Sequence, residues 1–199
     1  MGRKLWVFLA LVMVVAALRL GAQDTLGSRI TNAGAVRANA ATDSVFISRT
    51  RLADTVDIGD FASAMLARIG APPFDDSLGF RVFSDGRSIR IRGRLMDFPP
   101  DSRAELGPIF SFLDSTSVWE AQISMPQRDS GIMRFRLDRV TVRGFPIPDL
   151  LLLAAVSQYS KRYPGMLQAG GRAFDVGMPK EAKVSLITNG IVLKMPPKP

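Results

Sequence analysis

Residues 80–95 read FRVFSDGRSIRIRGRL, and the fold class follows from that stretch. Phe80 and Val82 alternate with Arg81, and Ser84-Asp85-Gly86-Arg87 is a turn signal. Ile89, Ile91, Gly93 and Leu95 then alternate with Arg90, Arg92 and Arg94. Strand side chains point to opposite faces in turn, so the pattern predicts a hairpin whose second strand has one apolar face and one arginine face. Phe98-Pro99-Pro100 ends it, because proline cannot donate to a sheet ladder.

The same period returns downstream. Trp119, Ala121, Ile123 and Met125 alternate with Glu120, Gln122 and Ser124. A loop at Pro126–Gly131 reverses the chain, and Met133, Phe135 and Leu137 alternate with Arg134, Arg136 and Asp138. The apolar spacing slips at Asp138-Arg139 and resumes at Val140 and Val142, which predicts a bulge. A third hairpin is expected near the end, with Ala173–Met178 before it and a turn at Thr188-Asn189-Gly190 between Val184–Ile187 and Ile191-Val192-Leu193.

Helices are expected between the hairpins. Phe61, Met65, Leu66 and Ile69 make one stripe, with Asp60 as the cap and Gly70 as the stop. Asp101 or Ser102 can cap a second helix carrying Leu106, Ile109, Phe110 and Leu113. Asp149 is expected to cap a third, Leu150 to about Tyr163, whose Leu-rich first half should be buried on nearly all sides. Short antiparallel connections exclude a parallel doubly wound sheet. The expected fold class is α+β, a curved antiparallel β-sheet built from hairpins with helices packed on its apolar face.

Upstream, Arg3 and Lys4 precede an apolar run of 14 residues, Leu5 to Leu18, and Leu20-Gly21-Ala22 offers a cleavage site. That is the pattern of a secretory signal peptide over residues 1–22, too short for the ~20 residues that span a bilayer. Residues 23–44 lack an apolar period and read as a flexible leader, leaving 45–199 as a single α+β domain. Cleavage removes Arg3, Lys4 and Arg19 and no acid, so the 26 basic residues fall to 23 against 18 acidic ones, a net charge of +5. An exported chain of that charge favours anionic lipid or envelope polymer over nucleic acid.

Two absences narrow the chemistry. The chain has no Cys and no His. Disulfides, thiolate nucleophiles, imidazole bases and the common transition-metal ligand sets are therefore excluded. No P-loop, Gly-x-Ser-x-Gly or calcium-loop pattern occurs. Asp75, Asp76, Asp97, Asp101 and Asp114 cluster near loops, where caps and turns account for most carboxylates, and nothing in their spacing makes a facing glycosidase pair. The expectation is a non-catalytic protein that requires no cofactor and no metal.

Two surfaces are candidate sites. Arg90, Arg92, Arg94, Arg134 and Arg136, with Arg81, Arg87, Arg139 and Arg143 nearby, form one cationic face if the hairpins share a sheet, suited to anionic headgroups. Any half-exposed strand shows the same alternation, and charge also deters edge pairing. Ile89, Ile91, Leu95, Ile123, Met133 and Phe135 point the other way and line either a filled core or a cavity for acyl chains. Gly93 in mid-strand leaves room for a helix or ligand to approach.

The passage FRLDRVTVRGFPIPDLLLLAAVSQY (Phe135–Tyr159), followed by GRAFDVGMPKEAKVSLITNGIVLKM (Gly171–Met195), resembles the bacterial LmeA-like phospholipid-binding domain. That family is similar to the tubular lipid-binding (TULIP) group, in which a curved antiparallel sheet wraps a helix and encloses acyl chains. The resemblance implies phospholipid or another envelope lipid as partner and a place in the periplasm or cell envelope. The expected function is an exported envelope protein that binds lipid or an anionic membrane surface. The alternative is a structural or interaction module of the envelope whose arginine-rich face meets an acidic partner.

Overall fold

Eleven short strands and three helices follow one another in the computed structural model, which describes residues 27–70, 79–98, 114–126, 131–163 and 165–197. The chain begins with β1 (Ser28–Arg29), α1 (Asn32–Thr42), a π-helical turn (Asp43–Ile47), β2 (Ala53–Asp57) and α2 (Ile58–Arg68). Then come β3 (Arg81–Ser84), β4 (Ser88–Arg94), a 3-10 turn (Leu95–Asp97), β5 (Val118–Ser124), β6 (Ile132–Val142) and β7 (Phe145–Pro146). Helix α3 (Asp149–Arg162) precedes β8 (Leu167–Gln168), β9 (Ala173–Gly177), β10 (Lys183–Ile187) and β11 (Gly190–Lys194). The segment read as a signal peptide and the helix expected from Asp101 or Ser102 to Leu113 lie outside the described residues.

The class is α+β with antiparallel pairing throughout. The large sheet runs β1-β3-β4-β5-β6-β9-β8, with β7 added beside β6. The first two expected hairpins are adjacent in it: Ile91 pairs with Ala121, and Ala121 with Val140. Sequence alternation alone implied one sheet, but the last hairpin joins a second one. β10 and β11 pair with each other and β11 pairs with β2, so Ile191 meets Val56. The two sheets meet where Asp85 bridges Thr188 and the Ser84 hydroxyl donates to the Ile187 carbonyl at 2.7 Å.

Residues 28–44 are not a loose leader. Thr31 caps α1 by accepting from the Gly34 N–H at 2.9 Å. The buried positions of α1 are Gly34, Ala38 and Thr42, four residues apart. A stripe of small side chains gives a helix no hydrophobic amplitude, yet it lets α1 lie close against α2. At Gly34 a Cβ would come within 2.5 Å of the Asp60 carboxylate. Val45 and Phe46, in the turn that follows, are core residues.

Helix α2 is capped by Asp57, not by Asp60: Asp57 Oδ1 accepts from the Gly59 and Asp60 N–H groups at 2.8 and 3.2 Å. Asp60, one turn in, instead takes a bidentate bond from Arg37 of α1 at 2.6 and 2.7 Å. That hydrogen bond, more than the charge itself, holds the Arg37 guanidinium above its ordinary pKa. The apolar stripe of α2 lies between the sheets, with Phe61 against Phe135 at 6.5 Å. Ile58, Val45, Val82, Val176, Ile191 and Leu193 complete a fully buried centre to which both sheets contribute.

Helix α3 departs from expectation at its start. Pro148 occupies the cap position and Asp149 is the first helical residue. Leu152 and Val156 are buried, but Leu150 and Leu153 face out. None of the described helices is long and apolar enough to cross a membrane.

Candidate anion-binding site

The outer face of β4, β5 and β6 carries the polar half of each alternating pattern. Cross-strand pairing aligns Arg92 with Glu120 and Glu120 with Thr141, and Arg90 with Gln122 and Gln122 with Arg139. Arg81 of β3 extends the first row, opposite Arg92. The Arg143 N–H donates to the Val118 carbonyl at 2.8 Å and closes the end of the face.

The bulge expected at Asp138-Arg139 is present, and it builds this site. Ile123 pairs with Leu137 and Gln122 with Arg139, so Asp138 is the extra residue on β6. Up to Arg136 the even-numbered residues point outward. One inserted residue inverts that parity, turning Val140 and Val142 toward the core and Arg139, Thr141 and Arg143 toward solvent. Asp138 is held by three donors. The Arg136 guanidinium and the Ser124 hydroxyl reach its carboxylate at 2.7 and 3.1 Å, and Arg172 reaches its carbonyl at 3.1 Å.

The result is a concavity of about 450 Å³ lined by Arg92, Arg139 and Arg143, with Val118, Trp119, Glu120, Gln122, Thr141 and Gly144 around them. Trp119 is fixed by edge contact with Phe80 at 5.6 Å, by Phe98 at 4.9 Å and by donation from Nε1 to the Arg94 carbonyl at 3.3 Å. Three cations and one carboxylate on a rigid sheet floor suit an anion with several acceptor oxygens, such as a phosphate. Beside this end of the sheet, the Thr116 backbone N–H holds the Asp114 carboxyl below its ordinary range, and the Arg143 charge helps.

Arg143 sits in the left-handed region at φ 52°, followed by Gly144 at φ 82°. That pair makes a tight turn of the type that Asn-Gly or Gly-Gly fills without strain. An arginine is costlier there, and residues held in such conformations gather at functional sites.

The five arginines anticipated from sequence do share one face, but they do not share one task. Arg92 lines the concavity and Arg90 stands beside it. Arg94 turns back on Asp97, at 3.1 Å, in a local capping arrangement. Arg136 pairs with Asp138. Arg134 is engaged by Asp175 of β9 in a bidentate pair at 2.6 Å on both sides, which also raises its pKa. Arg139 and Arg143 are the principal cations here, and the shift of period at Asp138 was the signal in sequence that could have found them.

The six apolar candidates are in the core or against it. Ile89, Leu95, Met133 and Phe135 are buried, and Ile91 and Ile123 pack on them half-buried. Leu95 belongs to the 3-10 turn, not to β4. Phe135 stacks on Phe174 at 5.2 Å, and the ring of Phe61 lies 6.5 Å from it, tilted. The space expected beside Gly93 is taken by Phe80, whose ring would lie 2.5 Å from a Cβ at that position.

Of the carboxylates singled out in the sequence, the two that are described, Asp97 and Asp114, have local partners. Asp97 is buried and accepts from the Arg94 N–H at 2.7 Å, and Asp114 accepts from the Thr116 N–H at 2.9 Å. Asp75, Asp76 and Asp101 lie outside the described residues. No family model, curated protein or solved structure matches this chain.

Proposed function

We propose that this chain is an exported, non-catalytic envelope protein that binds an anionic lipid surface through the outer face of β4, β5 and β6. The observation that carries the reading is the convergence of Arg92 of β4, Arg139 of β6 and Arg143 of the turn beyond on one concavity that spans β5. A lipid phosphate offers the oxygens such a cluster needs, and a net charge of +5 after loss of residues 1–22 draws the chain toward an acidic membrane. The reading keeps the lipid partner implied by the resemblance of Phe135–Tyr159, and it moves the contact from an enclosed interior to the sheet's outer face.

Co-sedimentation with vesicles tests it. Binding should be strong to vesicles containing phosphatidylglycerol, weak to pure phosphatidylcholine, and should fall as salt rises. Replacing Arg92, Arg139 and Arg143 together by Gln should cost about 1 kcal/mol per arginine, on the order of a hundredfold in all. Equal binding to the two vesicle types, or an unaffected triple variant, overturns the proposal. The second outcome leaves an acidic protein partner on another part of the arginine face as the better reading.

A further inference from the structure

We infer that the β6–β7 turn and the first turn of α3 form an apolar tip that enters the acyl region of the same anionic bilayer, an inference that rests on the proposed surface binding. Phe145 and Leu150 are each 76% exposed, and Leu153 is also open to solvent. Large apolar side chains gathered at one place on a surface mark an interaction site. They stay out of the core for a local reason. β7 is only two residues long, and its Pro146 has no N–H to donate. Pro148 then starts α3 immediately, and the Ile147 N–H returns to the Val140 carbonyl at 2.8 Å. Val142 is buried, while Phe145, its register partner across the turn, is left exposed on the two-residue β7.

The tip follows the anion site directly along the chain. Arg143 and Gly144 line the concavity, and Phe145 is the next residue. From Arg139 to Leu153 the one acidic residue is Asp149, which Arg172 neutralises at 2.8 Å. An apolar wedge flanked by arginines, with its single carboxylate paired, is complementary to a bilayer whose headgroups are negative and whose interior is hydrocarbon. Apolar insertion and electrostatic attraction are each marginal alone, and stable attachment at an interface usually combines two such signals. Arginine stems can lie along the apolar boundary while the guanidinium stays among the phosphates.

The chain has no Cys, so a single introduced thiol labels cleanly. Phe145→Cys and, as a control on α1, Val36→Cys would each carry an NBD fluorophore and be mixed with phosphatidylglycerol vesicles. The label at 145 should shift to the blue and be quenched by lipids with a doxyl group on the acyl chain; the label at 36 should do neither. Phe145→Ala with Leu150→Ala should weaken partitioning on the order of tenfold per side chain, and its salt dependence should match that of the parent chain. If the parent binds the vesicles but the label at 145 neither shifts nor is quenched, the tip does not insert and surface binding alone stands. If the parent does not bind at all, both readings fall. A lipid-free dimer in sedimentation velocity that Phe145→Asp dissociates would show that a second copy covers the tip, and would overturn the inference.

Discussion

Arg134 and Asp175 face each other across β6 and β9 as register partners, and both nitrogens of the arginine fork reach the carboxylate at 2.6 Å. The pair is mostly buried, with Arg134 at 17% side-chain exposure. Arg134 therefore belongs to the structure of the sheet and not to its ligand-binding surface. Arg134→Gln should lower the midpoint of urea unfolding clearly more than Arg90→Gln does, because it breaks a bidentate ion pair in a buried position. Vesicle binding by the folded Arg134→Gln chain should match the parent. A variant with parental stability and impaired binding would move Arg134 back among the headgroup contacts.

Arg143 sets local stability against binding. Its left-handed conformation costs an L-residue ~1–2 kcal/mol, and Asn before Gly relieves part of that cost. Arg143→Asn should thus raise the unfolding midpoint and weaken binding to anionic vesicles in one substitution. Loss of both properties would mean that the arginine supports the turn itself.

Gly93 is a packing position. Ala in its place should destabilise the chain by ~1–3 kcal/mol, the usual range for overpacking a core, because Phe80 and the Trp119 edge close the space above it. Equilibrium urea unfolding reads this directly. A neutral substitution would show that the Phe80 ring moves aside easily and that room for a ligand exists there after all.

The segment before β2 is part of the domain. Phe46 is buried in the common core, and Phe46→Ala should cost ~3–5 kcal/mol. Deleting residues 23–47 should abolish cooperative unfolding as followed by circular dichroism, whereas a dispensable leader could be removed without change.

Asp85 gives the chain an acid limb. The Ser88 and Arg87 backbone N–H groups, in that order, hold its carboxyl below the ordinary value. A depressed folded pKa contributes stability that is present above the unfolded value, ~4 for Asp, and is lost as pH falls through the lower folded value. Asp85→Asn keeps an acceptor for the turn but cannot titrate, so its stability should fall less steeply than the parent's below about pH 4. Parallel acid limbs in the two chains would rule Asp85 out as a contributor.

Much of the fold was legible because a strand writes its two faces into a period of two. The 80–95 and 119–142 hairpins, their arginine faces and the bulge at Asp138 all followed from that alternation, and Gly70 marked the end of α2 correctly. Helix α1 escaped because Gly34, Ala38 and Thr42 bury through smallness, and a hydrophobicity pattern does not register small side chains. The cap of α2 was displaced by one turn for a related reason. Asp57 and Asp60 are equally good caps in isolation, and Arg37, arriving from another helix, commits Asp60 to a different task.

What the amino-acid sequence determined by itself was local: which residues alternate, where the chain turns, that histidine and cysteine chemistry is excluded, and that arginines stand together on β4. Tertiary structure decided the rest, because it depends on neighbours far along the chain. Pairing of β11 with β2, across more than a hundred residues, split the expected single sheet into two. Pairing of Arg134 with Asp175 withdrew one arginine from the surface, while the pairing of β4, β5 and β6 set Arg139 and Arg143 beside Arg92. The same packing left Phe145 and Leu150 outside, although their sequence context is as apolar as any core segment. Hydrophobicity states that a side chain gains by leaving water, but only the arrangement of the other elements decides whether a place inside exists for it.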